Sequence, residues 1–252
     1  MKIISWNVNG IRAAEKKGFL KWLQKEKPDI LGLQEIKAMQ EQLSQDLLAP
    51  HDYHTFFNSA EKKGYSGTAL YSRTQPKSIT TGLPDEQFNS EGRLISADYG
   101  DFTFFNIYFP NGKAREERLK YKLGFYESAL KHFDDLVSQG KNLIITGDYN
   151  TAHKEIDLAR PKANTKISGF LPIERQWLDK LTEHGYVDCF REFNKDPENY
   201  TWWSMRAGSR QRNVGWRIDY FFVSKNFRKK IKNCYHLTEV MGSDHCPIVL
   251  EI

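Results

Sequence analysis

Asn142-Leu-Ile-Ile-Thr-Gly-Asp-Tyr-Asn150 carries a carboxylate and a carboxamide, Asp148 and Asn150, at the end of an unbroken apolar run. Such a run reads as a strand buried on both faces. If the extended geometry continues, the two side chains point the same way. Polar groups at a buried strand end are expensive unless something uses them, although Gly-Asp and Asn are also common turn residues. The same ending recurs along the chain. Asn7 lies near the end of the run Lys2 to Val8, Glu35 follows Asp29 to Gln34, and Tyr108 ends the run that starts at Phe102. Asp219 lies within Trp216 to Val223, and Ser243-Asp-His245 precedes an apolar C-terminal stretch. Each alone reads more readily as a solvated strand end or a satisfied core residue; their recurrence in one chain points to a shared site.

The residue types indicate a reaction class. Asn7 and Glu35, with Asp244 as a further candidate, are oxygen ligands without a Cys/His pair, which suits a hard cation such as Mg²⁺ or Mn²⁺. Mg²⁺ usually takes only one or two carboxylates besides water and substrate phosphate, so the site need not be crowded. Asp148 or His245 can accept a proton from an attacking water. Asp219 can lock the tautomer and orientation of His245. Phosphodiester hydrolysis is the most economical reading. Ser243, Asp244 and His245 are also triad types, but adjacent residues on an extended segment face alternate sides. No Gly-x-Ser-x-Gly elbow or P-loop accompanies them. A hydrolase using the same centre on a phospholipid or inositol phosphate, and a DNA-binding scaffold with a dead site, are the competing readings.

The chain has 252 residues and a formal net charge of +5 at pH 7, which permits a polyanionic partner without requiring one. Basic residues gather at Lys62-Lys63, Arg115 to Lys122, Lys162 to Lys166, Arg206 to Arg217 and Arg228 to Lys232. Between Trp202 and Arg217 aromatics interleave with them, a mixture suited to nucleic acid, where cations meet phosphates and rings meet bases or sugars. Three cysteines without a Cys-x-x-Cys pair argue against a disulfide framework and a zinc site. No apolar stretch approaches the roughly 20 residues of a membrane span, and the N-terminus reads as a strand rather than a signal peptide. An intracellular, cytoplasmic protein is expected. No linker or internal repeat divides the chain, so residues 1–252 are expected to form one domain.

The elements that must position these residues alternate at first: a strand over Lys2 to Val8, a helix over Ala13 to Glu26 and a strand over Asp29 to Gln34. Tyr53 to Asn58, Thr68 to Ser72, Leu94 to Tyr99 and Phe102 to Phe109 then read as largely antiparallel strands joined by Gly-containing turns. Apolar residues at spacings of three and four, from Leu119 to Val137, predict a helix over Arg115 to Gln139, with Gly140 as its stop. An irregular loop is expected from Thr151 to Leu171 and a helix from Pro172 to His184. Strands are expected around Tyr200 to Ser204, Trp216 to Ser224 and His245 to Ile252. Strands outnumber helices roughly two to one and the alternation breaks in the middle. The expected fold is therefore α/β, a four-layer sandwich with two mixed β-sheets packed face to face and helices on the outer faces.

Six stretches resemble one family: Ser5-Trp-Asn-Val-Asn-Gly-Ile-Arg12, Leu33-Gln-Glu-Ile-Lys37, Tyr108-Phe-Pro-Asn111, Gly147-Asp-Tyr-Asn-Thr-Ala-His153, Asn213-Val-Gly-Trp-Arg-Ile-Asp-Tyr220 and Gly242-Ser-Asp-His-Cys-Pro247. They are similar to the exonuclease III type of apurinic/apyrimidinic (AP) endonuclease, in the endonuclease/exonuclease/phosphatase superfamily. The match runs end to end in the family's order. The resemblance implies that Asn7 and Glu35 hold the metal, with Asp148, Asn150, Asp244 and His245 completing the groups around it. Asp148 would activate or protonate at the scissile phosphate, Asn150 would orient the nucleophile, and His245, held by Asp219, would contact the phosphate. Tyr108, Asn111 and Arg118 would grip the DNA backbone, with Lys37, Asn164 and Arg206 as further DNA contacts. Trp202, Trp216 and Ile218 would wall a pocket for a flipped-out, base-free sugar, whose extrusion sacrifices little stacking.

Departures from the family pattern are local. Asn9 stands where some relatives have Asp, Arg206 where one carries an apolar wedge, and Ile167 replaces an Asn. The chain begins at its first strand, as the compact bacterial forms do. The implied activity is Mg²⁺-dependent cleavage of duplex DNA 5′ of an abasic site, leaving a 3′-hydroxyl. Processing of blocked 3′ ends and 3′→5′ exonuclease action are implied with it, by a monomer, with Mn²⁺ as a substitute metal.

Overall fold

The computed structural model describes residues 1–113 and 116–252, so Arg115, the expected first residue of the long helix, lies outside the described residues. The first third of the chain runs β1 (Lys2–Asn7), α1 (Ile11–Lys16), α2 (Phe19–Glu26), β2 (Ile30–Gln34), α3 (Gln45–Leu48), β3 (His54–Asn58) and β4 (Thr68–Ser72). The middle comprises β5 (Ser78–Thr81), β6 (Leu94–Asp98), β7 (Thr103–Tyr108), α4 (Glu116–Ser138), β8 (Leu143–Asp148) and α5 (Pro161–Asn164). The remainder is α6 (Pro172–Glu183), β9 (Tyr186–Asp188), α7 (Cys189–Phe193), β10 (Trp202–Trp203), β11 (Gly215–Trp216), β12 (Asp219–Ser224), β13 (Asn233–His236) and β14 (Ile248–Glu251).

Two six-stranded sheets result, in the orders β13-β14-β1-β2-β4-β3 and β5-β6-β7-β8-β12-β9. The pairs β1–β2 and β7–β8 are parallel and their neighbours antiparallel, so both sheets are mixed. The sheets face one another across Ile3, Ile30, Leu70, Ile95, Phe104, Ile144, Phe221 and Leu250. The alternate residues of the same strands turn outward. Ile4, Trp6, Leu31 and Leu33 meet Ile11, Phe19 and Leu23 of α1 and α2. Phe105, Ile107, Ile145 and Phe222 meet Phe125, Tyr126, Leu130 and Phe133 of α4 and Trp177 and Leu181 of α6. The period-2 alternation thus feeds two cores from one strand, which is why these strands read as continuous apolar runs. This is the expected four-layer α/β sandwich. Among the described residues no helix is long and apolar enough to cross a membrane.

Local departures have local causes. The helix expected over Ala13 to Glu26 is broken, because Gly18 takes φ +98° and starts a new helix at Phe19. The loop from Thr151 to Leu171 contains the short α5, opened by Pro161 at its first turn. The strand expected over Trp216 to Ser224 is interrupted, and β11 pairs with β10 while β12 joins the second sheet. The elements β5, β9, α7 and β13, of three to five residues each, are too short for an apolar period to announce them.

The topology decides where the polar strand ends go. Because β1 and β2 are parallel, with Asn7 beside Gln34, both finish at the same edge of the first sheet. Parallel β7 and β8 do the same in the second, with Tyr108 beside Asp148. Antiparallel β12 starts there, Asp219 opposite Asp148. Antiparallel β14, whose Ile248 pairs with Ser5, brings the preceding His245 to the same end. Between the sheets just below, Asn106 Nδ2 donates to Leu33 O (3.0 Å) and Ala69 O (2.9 Å), and Gln34 Nε2 donates to Asn106 Oδ1 (2.6 Å). These buried bonds tie the two sheets together at the level of the strand ends.

Candidate active site

Asn7 is fully buried, and its Nδ2 donates to both Glu35 Oε1 (3.2 Å) and Asp148 Oδ2 (2.9 Å), so one amide links the two sheets. Glu35 turns at φ +51° and accepts from Tyr108 OH (2.5 Å) and from Lys37 Nζ (2.6 Å). Burial pushes its carboxyl up, but the adjacent Lys37 ammonium and the Lys37 and Tyr108 hydrogen bonds outweigh it, so its pKa is lowered. The opposite holds for Asp148. Burial dominates there and, with Asp219 and Glu35 nearby, raises the carboxyl from 3.8 to about 7 despite the attraction of His245.

Asn150 does not follow the strand alternation expected for it. β8 ends at Asp148, and Asn150 adopts a left-handed φ of +52°. The turn brings its side chain back: Nδ2 donates to Phe109 O (3.0 Å), lies 3.4 Å from Asp148 Oδ2, and Oδ1 accepts from Asn111 Nδ2 (3.1 Å). The neighbours meet, but through a turn.

His245 Nδ1 hydrogen-bonds Asp219 Oδ2 (2.9 Å), while Nε2 lies 3.8 Å from Asp148 Oδ2. Burial alone would lower the imidazole pKa; Asp219, then Asp148 and Asp244, outweigh it and raise it to about 10. Asp148, Asp219 and His245 are also a group whose ligand atoms lie within 4.8 Å of one another. With Asp219 occupying Nδ1 and the ring held as the imidazolium, that trio suits proton handling better than metal ligation. The donor set around Asn7 and Glu35 is oxygen-rich and anionic, with Lys37 and the His245 ring as the cations acting on Glu35, and fits a hard divalent ion. Asp244 sits beside it with both oxygens engaged, by Asn9 Nδ2 (2.8 Å) and Trp202 Nε1 (3.0 Å).

A cavity of about 620 Å³ opens against this centre. Glu35, Asp148, Asn150, Asp244 and His245 line it, together with Lys37, Asn111, Asn164, Trp202, Trp216 and Ile218 from the expected DNA-binding set. Trp202 and Trp216 meet edge to face, centroids 6.3 Å apart, over Phe170 and Ile218. Three expected contacts lie outside the lining: Tyr108, whose OH donates to Glu35, and two arginines. Arg118 pairs with Glu91 (2.7 Å) and Tyr65 OH (3.0 Å), and Arg206 is exposed on the 204–214 loop outside the cavity lining.

Several residues at the site went unread in the sequence. Thr201 Oγ1 donates to Asp219 Oδ2 (2.6 Å), the oxygen that also holds His245. Arg93, fully buried, donates to Tyr108 O (2.8 Å) with its guanidinium 4.6 Å from the Tyr108 ring. Lys113 and Arg160 line the cavity, the former 5.6 Å from the Trp202 ring. A charge directly before the apolar run from Leu94 was the available signal for Arg93; the others had none.

Residues 4–245 match the model of the endonuclease/exonuclease/phosphatase family. The chain belongs to that family. It is 44% identical over 254 residues to an exodeoxyribonuclease of Bacillus subtilis, covering 100% of this chain and 99% of the relative. It is 42% identical to a DNA-(apurinic or apyrimidinic site) endonuclease of Dictyostelium discoideum, covering 98% of this chain and 69% of that protein. Among solved structures, a 3′-5′ exonuclease from Neisseria meningitidis superposes with a TM-score of 0.92 at 29% identity, over 100% of this chain and 99% of that one. An AP endonuclease from Archaeoglobus fulgidus gives 0.89 at 29% identity, over 99% and 98%. This member of the endonuclease/exonuclease/phosphatase family is an enzyme of the nuclease kind, and the family is metal-dependent.

Proposed function

We propose that this family member is a DNA repair nuclease that hydrolyses duplex DNA 5′ of an abasic site. The reading includes a 3′-hydroxyl product, action on blocked 3′ ends and 3′→5′ exonuclease activity. One observation carries it: the carboxylate–imidazole centre opens directly into an aromatic-walled cavity with cations in its lining. Lys37, Lys113 and Arg160 supply charge for phosphates, and Asn111 and Asn164 supply amides. A sugar without its base is the nucleotide that most cheaply leaves the stack to lie between Trp202, Trp216 and Ile218.

Glu35 and Asn7 are the groups that would hold the metal, Mg²⁺ or Mn²⁺, which when bound supplies positive charge to the phosphate and to the leaving oxygen. Asp148, as the carboxylate, takes the proton of the attacking water. Its raised pKa brings it near neutrality, where a base is strong yet still deprotonated in quantity. His245, oriented by Asp219, donates from Nε2 to a phosphate oxygen and stabilises the charge that develops there. Asn150, anchored on Phe109 O, presents its amide to the nucleophile, and Tyr108 holds Glu35 in place. One chain supplies every group, so a monomer suffices.

The test is an end-labelled duplex with a single abasic analogue. Cleavage should occur 5′ of the lesion with Mg²⁺, stop with EDTA and resume when Mg²⁺ is restored, while the intact duplex is not cut internally. Cleavage 3′ of the lesion, or activity confined to a phospholipid or inositol phosphate, would overturn the proposal.

A further inference from the structure

Lys122 and Glu174 form an ion pair (2.7 Å) in which both side chains are completely inaccessible to solvent. They lie on different helices, α4 and α6, among Phe125, Tyr126, Trp177 and Leu178. An apolar pair of similar volume would be at least as stable at such a place, because withdrawing two charges from water costs several kcal/mol per ion. What the charges hold is therefore informative.

The three N–H donors of the ammonium are all used, on Asn150 O (2.8 Å), Thr151 Oγ1 (2.7 Å) and Glu174 Oε1 (2.7 Å). The carboxylate accepts from Ser168 Oγ (2.9 Å) on Oε1, and from Gly169 N (2.6 Å) and Leu171 N (3.1 Å) on Oε2. One arm thus grips the turn after β8 and the other the segment behind the cavity. Asn150 is in the left-handed region, which a non-glycine residue keeps only when its surroundings impose it. Asp148 Oδ1 takes its N–H (2.7 Å) and Lys122 takes its carbonyl, so the peptide planes on both sides of its Cα are clamped. The direction of the Asn150 side chain follows from them. On the other arm, a Cβ on Gly169 would come within 3.1 Å of the Trp216 ring and 3.2 Å of Asn150 O, so this backbone packs directly between the two.

We propose that Lys122 is a positioning residue for the cleavage reaction. Held in charge by Glu174, its ammonium aims the Asn150 amide at the reacting phosphate and keeps that turn in register with the wall behind Trp216. The inference rests on the reading of Asn150 given above.

The test is the double variant Lys122→Met/Glu174→Gln, which removes both charges together and leaves an acceptor for Gly169 N and Leu171 N. Single-turnover cleavage of abasic duplex should fall by about 100-fold, the effect of displacing a reacting group by about an ångström. Affinity for uncleaved DNA in EDTA should stay within about threefold, since neither substituted residue lines the cavity. In an Asn150→Ala background the double variant should lower the rate by less than about twofold, because both act on one group. Losses that multiply, or a double variant that cuts at the parental rate, would overturn the inference. Parental cleavage by Asn150→Ala alone would sink the reading of the site itself, and this inference with it. If the double variant does not fold, Glu174→Gln alone, which removes the counter-charge of the ammonium and leaves Asn150 and its own partners unaltered, must show a smaller loss with the same dependence on Asn150.

Discussion

Replacing Asp148 by asparagine should make the protein more stable while removing its cleavage activity. The carboxyl is 1% exposed, and burial holds its pKa at about 7 rather than 3.8. That difference makes the ionised side chain about 4 kcal/mol less favourable in the folded state than in the unfolded one. The folded state binds the proton more tightly. The stability Asp148 contributes is thus complete below pH 3.8 and lost as pH rises through about 7. The substituted amide retains an acceptor for Asn150 N but faces the Asn7 amide with a donor; the attraction of His245 is already contained in the raised pKa. Setting about 2 kcal/mol against that mismatch leaves a net gain of about 2 kcal/mol at roughly pH 8. For a chain of this size that is a Tm higher by about 4–8 °C. At about pH 5 the parent has lost only the first part of that stability, about as much as the mismatch costs the variant, so the gain should all but vanish. Thermal unfolding of both proteins in EDTA at the two pH values measures it, and a cleavage assay on the same samples should show a loss of several orders of magnitude. A variant no more stable than its parent at the higher pH, or equally more stable at both, would refute the claim that burial strains this carboxylate.

Two further expectations concern the cavity and the metal. Trp216→Ala removes the ring that meets Trp202 edge to face, and should lower kcat/KM on abasic duplex by about 10–100-fold while leaving Mn²⁺ affinity unchanged; an unaltered preference for abasic over intact duplex would remove the pocket assignment. Glu35→Gln removes the carboxylate whose two oxygens are held separately by Lys37 and Tyr108, and should weaken Mn²⁺ binding, followed by electron paramagnetic resonance, by on the order of tenfold or more. Parental Mn²⁺ affinity in that variant would move the ion elsewhere in the site.

The parts of the fold that were legible are those whose burial is set by a short local pattern. β1, β2, β7 and β8 feed a core on each face, so each appears as an apolar run, and α4 shows its buried stripe at spacings of three and four. The break at Gly18 was not legible, because the apolar residues on its two sides also fit one continuous stripe. Nor were β9, α7 and β13, which exist because β12 and β14 offer them partners.

The same division runs through the site. Asn7, Glu35, Tyr108, Asp148 and His245 are visible from sequence because a polar residue ending a buried strand is a local contradiction that calls for a use. Arg93, Lys122 and Glu174 are not, since a charge within a helix or before a strand looks solvated until its neighbours in space are known. The sequence by itself therefore determined which buried strands end in polar groups and, through its family motifs, the kind of enzyme. Only the tertiary structure decided that Asn150 turns back by a left-handed residue, that Arg118 pairs with Glu91 rather than lining the cavity, and that Lys122 is buried beneath Asn150. The reason is physical: hydrophobic periodicity is a property of neighbouring residues, whereas the direction of a side chain at a sheet's end is set by contacts from segments tens to hundreds of residues away.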